Sequence, residues 1–230
     1  MRFDQSTLPD VSGLTVGILG GTGDQGRGLA IRLAQAGQRI LIGSRAPERA
    51  QASAKEIAEL IGGQVFVEGG GNAEIAARSD LVVVAVPFAG HADTLRELVE
   101  PLRGKIVIDC VNPLGFGKQG PFALDVPEGS AAEQAAAILP ESRVTAAFHH
   151  VSADLLADLS VDQMDLDVLV LGEDREAVAQ VQALAGRIKG IRGVHAGRLR
   201  NAGQVEALTA NLIAINKRYG AHAGIRVTDL

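Results

Sequence analysis

The sequence predicts an α/β fold, a doubly wound parallel sheet with a small C-terminal α/β domain. Strand-like apolar segments alternate with segments of helical periodicity through residue 148, which is typical of a parallel sheet covered by helices on both faces. The continuous apolar run at 81–86 is typical of a central strand buried on both sides. We therefore divide the chain into an N-terminal extension at 1–13, a nucleotide-binding domain at 14–150 and a small C-terminal domain at 151–230.

Glycines and prolines mark where the predicted elements begin and end. The first helix, at 24–36, ends at Gly37, a favourable residue after a helix. Pro47 suits the first position of a second helix, which Gly62 and Gly63 end. A loop rich in Gly and Pro is predicted at 111–120. The other predicted elements are strands at 15–19, 39–42, 65–67, 80–86, 105–110, 143–148, 166–171 and 193–199, and helices at 73–78, 92–99, 130–139, 173–188 and 204–219.

Composition excludes several classes of protein. Apolar residues make up 47% of the 230 residues, but no apolar run approaches the length of a membrane span, and no secretory signal is recognisable. A net charge of −5 without a dense basic block argues against nucleic acid as a partner. The single Cys110 cannot form an internal disulfide, so we expect it to serve packing in a reducing, cytoplasmic compartment.

The glycine-rich loop after the first strand predicts a dinucleotide site in a Rossmann-type fold. Gly21, Thr22, Gly23, Asp24, Gln25 and Gly26 match the spacing G-x-G-x-x-G. In this pattern the first glycine permits the tight turn, the second lets a pyrophosphate approach the backbone, and the third allows close packing of helix on strand. A strand precedes this motif and a helix follows it, which is the context that the motif requires.

The end of the second strand favours NADP(H) over NAD(H). An NAD site usually places an acidic residue there for the ribose hydroxyls, whereas this chain has Ser44 and Arg45, with Arg49 four residues later. A hydroxyl and two guanidinium groups suit a 2′-phosphate. The alternative is that both arginines belong to a solvated helix face.

Three further strand ends are candidates for the wall around the nicotinamide. They are Val86-Pro87, Asn112-Pro113 and His149-His150-Val151, and each could also be an ordinary exit from strand to loop. Adjacent strand residues point to opposite faces, so His149 and His150 are not expected to share a metal ion, and no metal site is predicted.

Features of two other dehydrogenase classes are missing, which limits the reactions that the chain is expected to catalyse. Tyr219 lacks the Tyr-x-x-x-Lys pattern of short-chain dehydrogenases, and the chain has no room for the long helical domain of hydroxyacid dehydrogenases. We therefore predict hydride transfer to another redox coenzyme without a catalytic acid or base, since holding two flat rings face to face supplies much of the catalysis.

The chain resembles the F420-dependent NADP oxidoreductases over about 15–226. The residues that carry the resemblance are Gly20 to Ala34, Ile42 to Arg45, the Val86-Pro87 strand end, the His149 segment, and Gly197 to Asn201 leading into Glu206 to Thr209. The resemblance implies reversible hydride transfer between NADP(H) and the 5-deazaflavin coenzyme F420 in a homodimer. The last helix also repeats apolar residues on one face, which suits either the core or a dimer contact.

The resemblance further implies individual contacts. Pyrophosphate contacts are Thr22, Gly23, Asp24 and Gln25, 2′-phosphate contacts are Ser44, Arg45 and Arg49, nicotinamide contacts are Val86, Asn112, Ala153 and Ala223, and deazaflavin contacts are Pro113, His149, His150 and Val151. Two alternatives stay open: a small NADPH-dependent reductase of an imine or a ferric chelate, and a non-catalytic NADP(H)-binding redox sensor.

Overall fold

Within residues 4–230, which the computed structural model describes, an eight-stranded sheet forms the centre of the molecule. Its spatial order is β10-β9-β8-β5-β4-β1-β2-β3, and neighbours run parallel except for the antiparallel pair β8 and β9. The strands are β1 Thr15–Leu19, β2 Arg39–Ser44, β3 Val67–Gly71, β4 Leu81–Val84, β5 Ile106–Asp109, β8 Arg143–Ala146, β9 Leu166–Gly172 and β10 Ile191–Gly197; a separate hairpin pairs β6 Leu114–Gly117 with β7 Gly120–Ala123.

Helices connect the strands and cover the sheet. They are α1 Asp24–Gln35, α2 Pro47–Ile61, α3 Asn72–Arg78, α4 His91–Arg96, α5 Val99–Leu102, α6 Ala131–Ile138, α7 Ala153–Ala157, α8 Arg175–Ala185 and α9 Ala202–Tyr219. Alternate side chains of the central strands enter two apolar cores, so that Ile18 and Val83 belong to one and Leu19 and Val84 to the other. The predicted α/β class with helices on both faces is confirmed.

Three local predictions are corrected. The third strand, predicted at 65–67, begins at Val67 and continues through glycines to Gly71. Packing requires glycine at Gly69, because a side chain there would collide with the backbone of Ala50 on α2. The helix predicted at 92–99 is two helices; Pro101 has no N–H to donate to Glu97, which interrupts the helical hydrogen bonds there. The loop predicted at 111–120 contains the first strand of the β6–β7 hairpin.

The chain after residue 150 continues the same sheet. Because β9 runs antiparallel to β8, β9 begins on the side of the sheet at which the carboxyl end of β8 lies. The predicted division of the chain into two domains at residue 150 remains a prediction. Part of the predicted extension, residues 1–3, lies outside the described residues, and the later part is attached to the core, since Val11 is 2% exposed and Gln38 Nε2 donates to its carbonyl oxygen at 2.9 Å.

A buried arginine attaches the segment after β8 to α1. The guanidinium of Arg32, a residue that is 4% exposed, donates to the carbonyl oxygens of Leu155, Leu156, Asp158 and Val161. Burial lowers the pKa of Arg32, but the carbonyl oxygens replace water around the charge. One side chain therefore fixes the whole turn that contains α7.

We expect Arg32→Met to lower the free energy of unfolding by about 3 kcal/mol or more, because four carbonyl oxygens would lose their donor. Urea denaturation followed by circular dichroism measures this change. Arg96→Met, which removes an exposed arginine paired with Asp93, is the control and should change stability by less than about 1 kcal/mol. Equal effects of the two substitutions would contradict the role assigned to Arg32.

Candidate dinucleotide-binding site

The glycine-rich turn brings the start of α1 against the end of β1. The left-handed residue of the turn is Gly20, with φ of +76°, and not Gly21, the first glycine of the predicted motif. A side chain at Gly20 would lie 2.6 Å from the carbonyl oxygen of Ala85. Gly26 packs so closely that its Cβ would lie 2.7 Å from the carbonyl oxygen of Gly20. Gly26 thus has the predicted role in packing helix on strand, and Gly20 takes the role in the turn.

The first turn of α1 offers backbone amides to a ligand. The first amides of a helix have no partner within it, and the residue before α1 is Gly23, which has no side chain to bind them. Thr22, Gly23, Asp24 and Gln25 all line the adjacent cleft. The Gln25 side chain is already engaged, since Nε2 donates to the carbonyl oxygen of Phe148 at 3.1 Å. An anion at this helix end would therefore meet the main chain first.

Positive charge lies at the far end of the same cleft. Ser44 ends β2, and Arg45 and Arg49 are exposed around the start of α2. Neither guanidinium has a carboxylate within salt-bridge distance among residues 4–230, whereas seven of the other fourteen arginines in that range are paired. Two uncompensated arginines beside a hydroxyl form a site suited to a phosphate group.

One residue at this end was not identified from the sequence. Asn72, the first residue of α3, also lines the cleft. Its Oδ1 is buried without a hydrogen-bond partner among the described residues, and it lies where a side chain at Gly43 would be. A single asparagine after a glycine-rich strand belongs to no motif that can be recognised in the sequence.

The cleft has a volume of about 980 Å³ and extends from the arginines, over the glycine turn, to two strand ends. The segment after β4, including Val86 and Pro87, forms one wall, and Val111 and Asn112 after β5 form another. Gly21, Pro113, His149, His150, Val151, Ala153 and Ala223 are absent from its lining. The structure thus brings together ten of the predicted residues: Thr22, Gly23, Asp24, Gln25, Ser44, Arg45, Arg49, Val86, Pro87 and Asn112.

Asn112 connects the cleft to the histidine segment. Its Nδ2 donates to the carbonyl oxygen of His149 at 2.8 Å. Thr209 on α9 joins the same group, because its hydroxyl lies 3.2 Å from that carbonyl oxygen and 3.3 Å from Oδ1 of Asn112. The sequence placed Thr209 only inside a resembling segment and did not identify this contact.

The strand predicted at 143–148 ends at Ala146, and His149 and His150 lie in a turn after it. Phe148, just before them, has the left-handed φ of +66° although its side chain is fully buried. Burial lowers the pKa of each histidine to about 4, so both rings are neutral at pH 7. His150 Nε2 accepts a hydrogen bond from the amide of Leu169 at 3.4 Å, whereas neither ring nitrogen of His149 has a partner in the described chain.

The other predicted residues surround this turn. Pro113 and Val151 are buried, and Ala153 begins α7. The tail after α9 passes nearby, since Nδ1 of His222 lies 3.2 Å from Oγ of Ser152 and the amide of Ala223 donates to Oδ1 of Asn216 at 2.6 Å. These residues form a second group beside the cleft, joined to it through Asn112 and Gln25.

Two features are absent from residues 4–230. No cluster of three or more His, Cys, Asp or Glu side chains is arranged to hold a metal ion. None of the described helices has the length and apolar character to span a membrane.

The depressed pKa of His150 makes a testable contribution to stability. Its pKa is 6.5 when unfolded and about 4 when folded, so its contribution is present above pH 6.5 and is lost as the pH falls towards 4. We expect His150→Gln to reduce the loss of unfolding free energy between pH 7.5 and pH 5 by about 2 kcal/mol. Urea denaturation at both pH values measures it. The same loss in wild type and variant would contradict a neutral, buried His150; the exposed His195→Gln is the control.

Comparisons with known proteins agree with this geometry. Residues 15–113 match the family model described as NADP oxidoreductase coenzyme F420-dependent. The chain is 40% identical to the F420-dependent NADP reductase of Methanothermobacter thermautotrophicus, over 94% of this chain and 96% of that protein. It is 39% identical to the F420-dependent NADP reductase of Methanocaldococcus jannaschii, over 94% of this chain and 99% of that protein.

A solved structure has the same fold. The crystal structure described as a putative F420-dependent NADP-reductase from Arthrobacter sp. FB24 superposes with a TM-score of 0.78 at 28% identity, covering 94% of this chain and all of that chain. Similarity to two reductases over 94% of the chain at about 40% identity, together with the match of the family model, leads to one conclusion: this chain belongs to the F420-dependent NADP oxidoreductase family.

Proposed function

We propose that the protein transfers a hydride reversibly between NADP(H) and coenzyme F420. The observation that carries the proposal is the cleft with backbone amides near its middle and two unpaired arginines at one end, in a chain similar over 94% of its length to an F420-dependent NADP reductase. The spacing of these groups suits a pyrophosphate and a 2′-phosphate on one dinucleotide.

We assign the two ends of the cleft to the two ends of NADP(H). Thr22, Gly23, Asp24 and Gln25, with the adjoining Gly21, would bind the pyrophosphate, largely through main-chain amides. Ser44, Arg45 and Arg49 would bind the 2′-phosphate. Val86, Pro87 and Asn112 would then contact the nicotinamide, with Ala153 and Ala223 at its outer side. Support comes from the lining of one continuous cleft by ten of these residues.

We assign the deazaflavin to the group formed by Pro113, His149, His150 and Val151. This group combines two apolar side chains with two histidines, which are neutral because burial holds the pKa of each near 4. A neutral, uncharged surface suits a flat ring, and both buried ring nitrogens of His149 are left without a hydrogen-bond partner in the described chain. Asn112 lies between the two proposed ring sites, which suits the approach of one ring to the other.

The proposed chemistry needs no catalytic acid or base from the chain. The bound coenzymes would supply the hydride donor and acceptor, and the residues would hold the two rings close together and exclude water. Reduction of an imine or a ferric chelate, or redox sensing without turnover, would also use the NADP(H) end. The assay below separates these alternatives.

We also propose a homodimer, with the segment 151–230 forming a C-terminal unit that supplies dimer contacts and part of the deazaflavin site. Its support is a set of large apolar side chains left exposed on the β6–β7 hairpin and the end of α9, namely Phe116, Phe122, Leu124, Ile215 and Tyr219. Sedimentation of a monomer at micromolar concentration would exclude the dimer. We propose a cytoplasmic location from the single, buried cysteine; recovery in another cell fraction would contradict it.

The first experiment mixes purified protein, NADPH and oxidised coenzyme F420 and follows the deazaflavin's visible absorbance. We expect enzyme-dependent bleaching and, with reduced F420 and NADP+, its reversal. Saturable NADPH binding without bleaching would reject the F420 reaction. Turnover of an imine or ferric chelate would then support another reductase, and no turnover would support the sensor.

Loss of an arginine tests the 2′-phosphate site. We expect Arg45→Ala to weaken NADPH binding by about tenfold or more while leaving NADH binding within about twofold, because only NADPH carries the extra phosphate. Titration calorimetry with both nucleotides measures this. Arg96→Ala, an exposed arginine outside the cleft, is the control. An unchanged preference for NADPH in Arg45→Ala would remove the assignment.

A further inference from the structure

A fully buried ion pair lies behind the two strand-end walls of the cleft. Nε2 of His91 lies 2.7 Å from Oδ2 of Asp109, and both side chains have no exposed surface. The other ring nitrogen, Nδ1, lies 2.9 Å from Oε1 of Gln134 on α6. Both partners of the ring are acceptors, since Nε2 of Gln134 donates to Glu128. With a carboxylate at Asp109, the arrangement is satisfied by a proton on each ring nitrogen, and therefore by a positive charge on the ring.

Asp109 holds the wall that follows β5. It is the last residue of that strand, and its Oδ1 accepts a hydrogen bond from the amide of Val111 at 3.1 Å. Val111 and Asn112 line the cleft. The position of this wall relative to the sheet thus depends on the rotamer of one buried carboxylate.

His91 holds the wall that follows β4. It begins α4 directly after the short helical turn Phe88–Gly90, whose residues line the cleft together with Val86 and Pro87. The amide of Gly90 donates to the carbonyl oxygen of Pro87 at 3.0 Å, and the rings of Phe88 and His91 lie 6.2 Å apart. A shift of His91 would therefore be transmitted to Pro87 and Val86.

Burying an ion pair in this space costs desolvation free energy. Burial alone would lower the pKa of His91, but the hydrogen bond and charge of Asp109 outweigh burial and raise it. Apolar side chains of similar size would pack there with no desolvation cost, and buried pairs are often no more stabilising than such replacements. A charged hydrogen bond differs from apolar packing in that it is directional, and it fixes the distance between the atoms that it joins.

We propose that the His91–Asp109 pair sets the spacing of the two walls that contact the nicotinamide ring. Both are positioning residues and touch no ligand. The inference rests on the proposed placement of the nicotinamide between Val86 and Asn112, but it does not require that F420 be the acceptor.

The test compares the affinity for NADPH with that for 2′-phospho-ADP-ribose, which keeps the phosphates and lacks the nicotinamide. The dissociation constant of the analogue divided by that of NADPH, both from titration calorimetry, isolates the contribution of the ring. We expect Asp109→Asn, which removes the charge and keeps the shape, to lower this ratio by about fivefold or more while affinity for the analogue stays within about twofold. Asp174→Asn, the same change in the pair with Arg143 outside the cleft, is the control and should leave the ratio unchanged.

Each other outcome overturns the proposal. An unchanged ratio means that the pair does not set the spacing of the walls. An equal loss of affinity for both ligands means that the substitution affects the fold in general. Equal affinity of the wild type for both ligands means that the walls do not hold the ring. Because no deazaflavin is used, failure of F420 bleaching in the wild type and failure of this test are separate results.

Two further measurements cover the case in which Asp109→Asn does not fold. The double variant His91→Gln with Asp109→Asn leaves no unpaired buried charge. It should show the same decrease in the ratio of dissociation constants. In the wild type, the imidazole N–H resonances of His91 should shift when NADPH binds and stay in place when the analogue binds. Resonances that respond alike to both ligands would overturn the proposal.

Discussion

The close contact of Gly26 with the turn after β1 determines the geometry of the site. A single Cβ at this position would lie 2.7 Å from the carbonyl oxygen of Gly20 and 2.8 Å from the Cα of Gly21. Without it, α1 begins directly above the edge of the sheet, and its first amides face the cleft. The end of β2 with its arginines, the walls after β4 and β5, and the turn after β8 are then all arranged around one helix terminus.

Charge is distributed unevenly around this terminus. Arg45 and Arg49 are exposed and uncompensated, so they are available to a phosphate. The histidine turn, by contrast, is neutral and buried. Behind the walls, Glu206 on α9 accepts hydrogen bonds from the amides of Ala131 and Ala132, yet burial raises its pKa to about 7. In the proposed assignment, ionic groups of the ligand bind at the outer end of the cleft, whereas the buried Glu206 serves the protein's own structure.

The sequence predicted what depends on short-range pattern. The glycine motif, Ser44 with two arginines, and strand ends marked by Pro87 and Asn112 all have fixed spacing along the chain, and the structure brings most of them into one cleft. Contacts across large separations were missed, because Thr209 reaches His149 and His91 reaches Asp109 only after the sheet has formed. The predicted bounds of β3 were wrong because its glycines are selected by packing against α2 and not by strand propensity.

The backbone of Phe148 limits which residues this position tolerates. A left-handed conformation costs a bulky residue about 1 kcal/mol or more, so glycine would relieve the strain. Glycine would also leave a void the size of a phenyl ring in the core, a loss of about 3 to 5 kcal/mol for a fully buried Phe. Substitution statistics at this site should therefore follow side-chain volume and not turn preference. A designer who optimised the local backbone here would make the protein less stable.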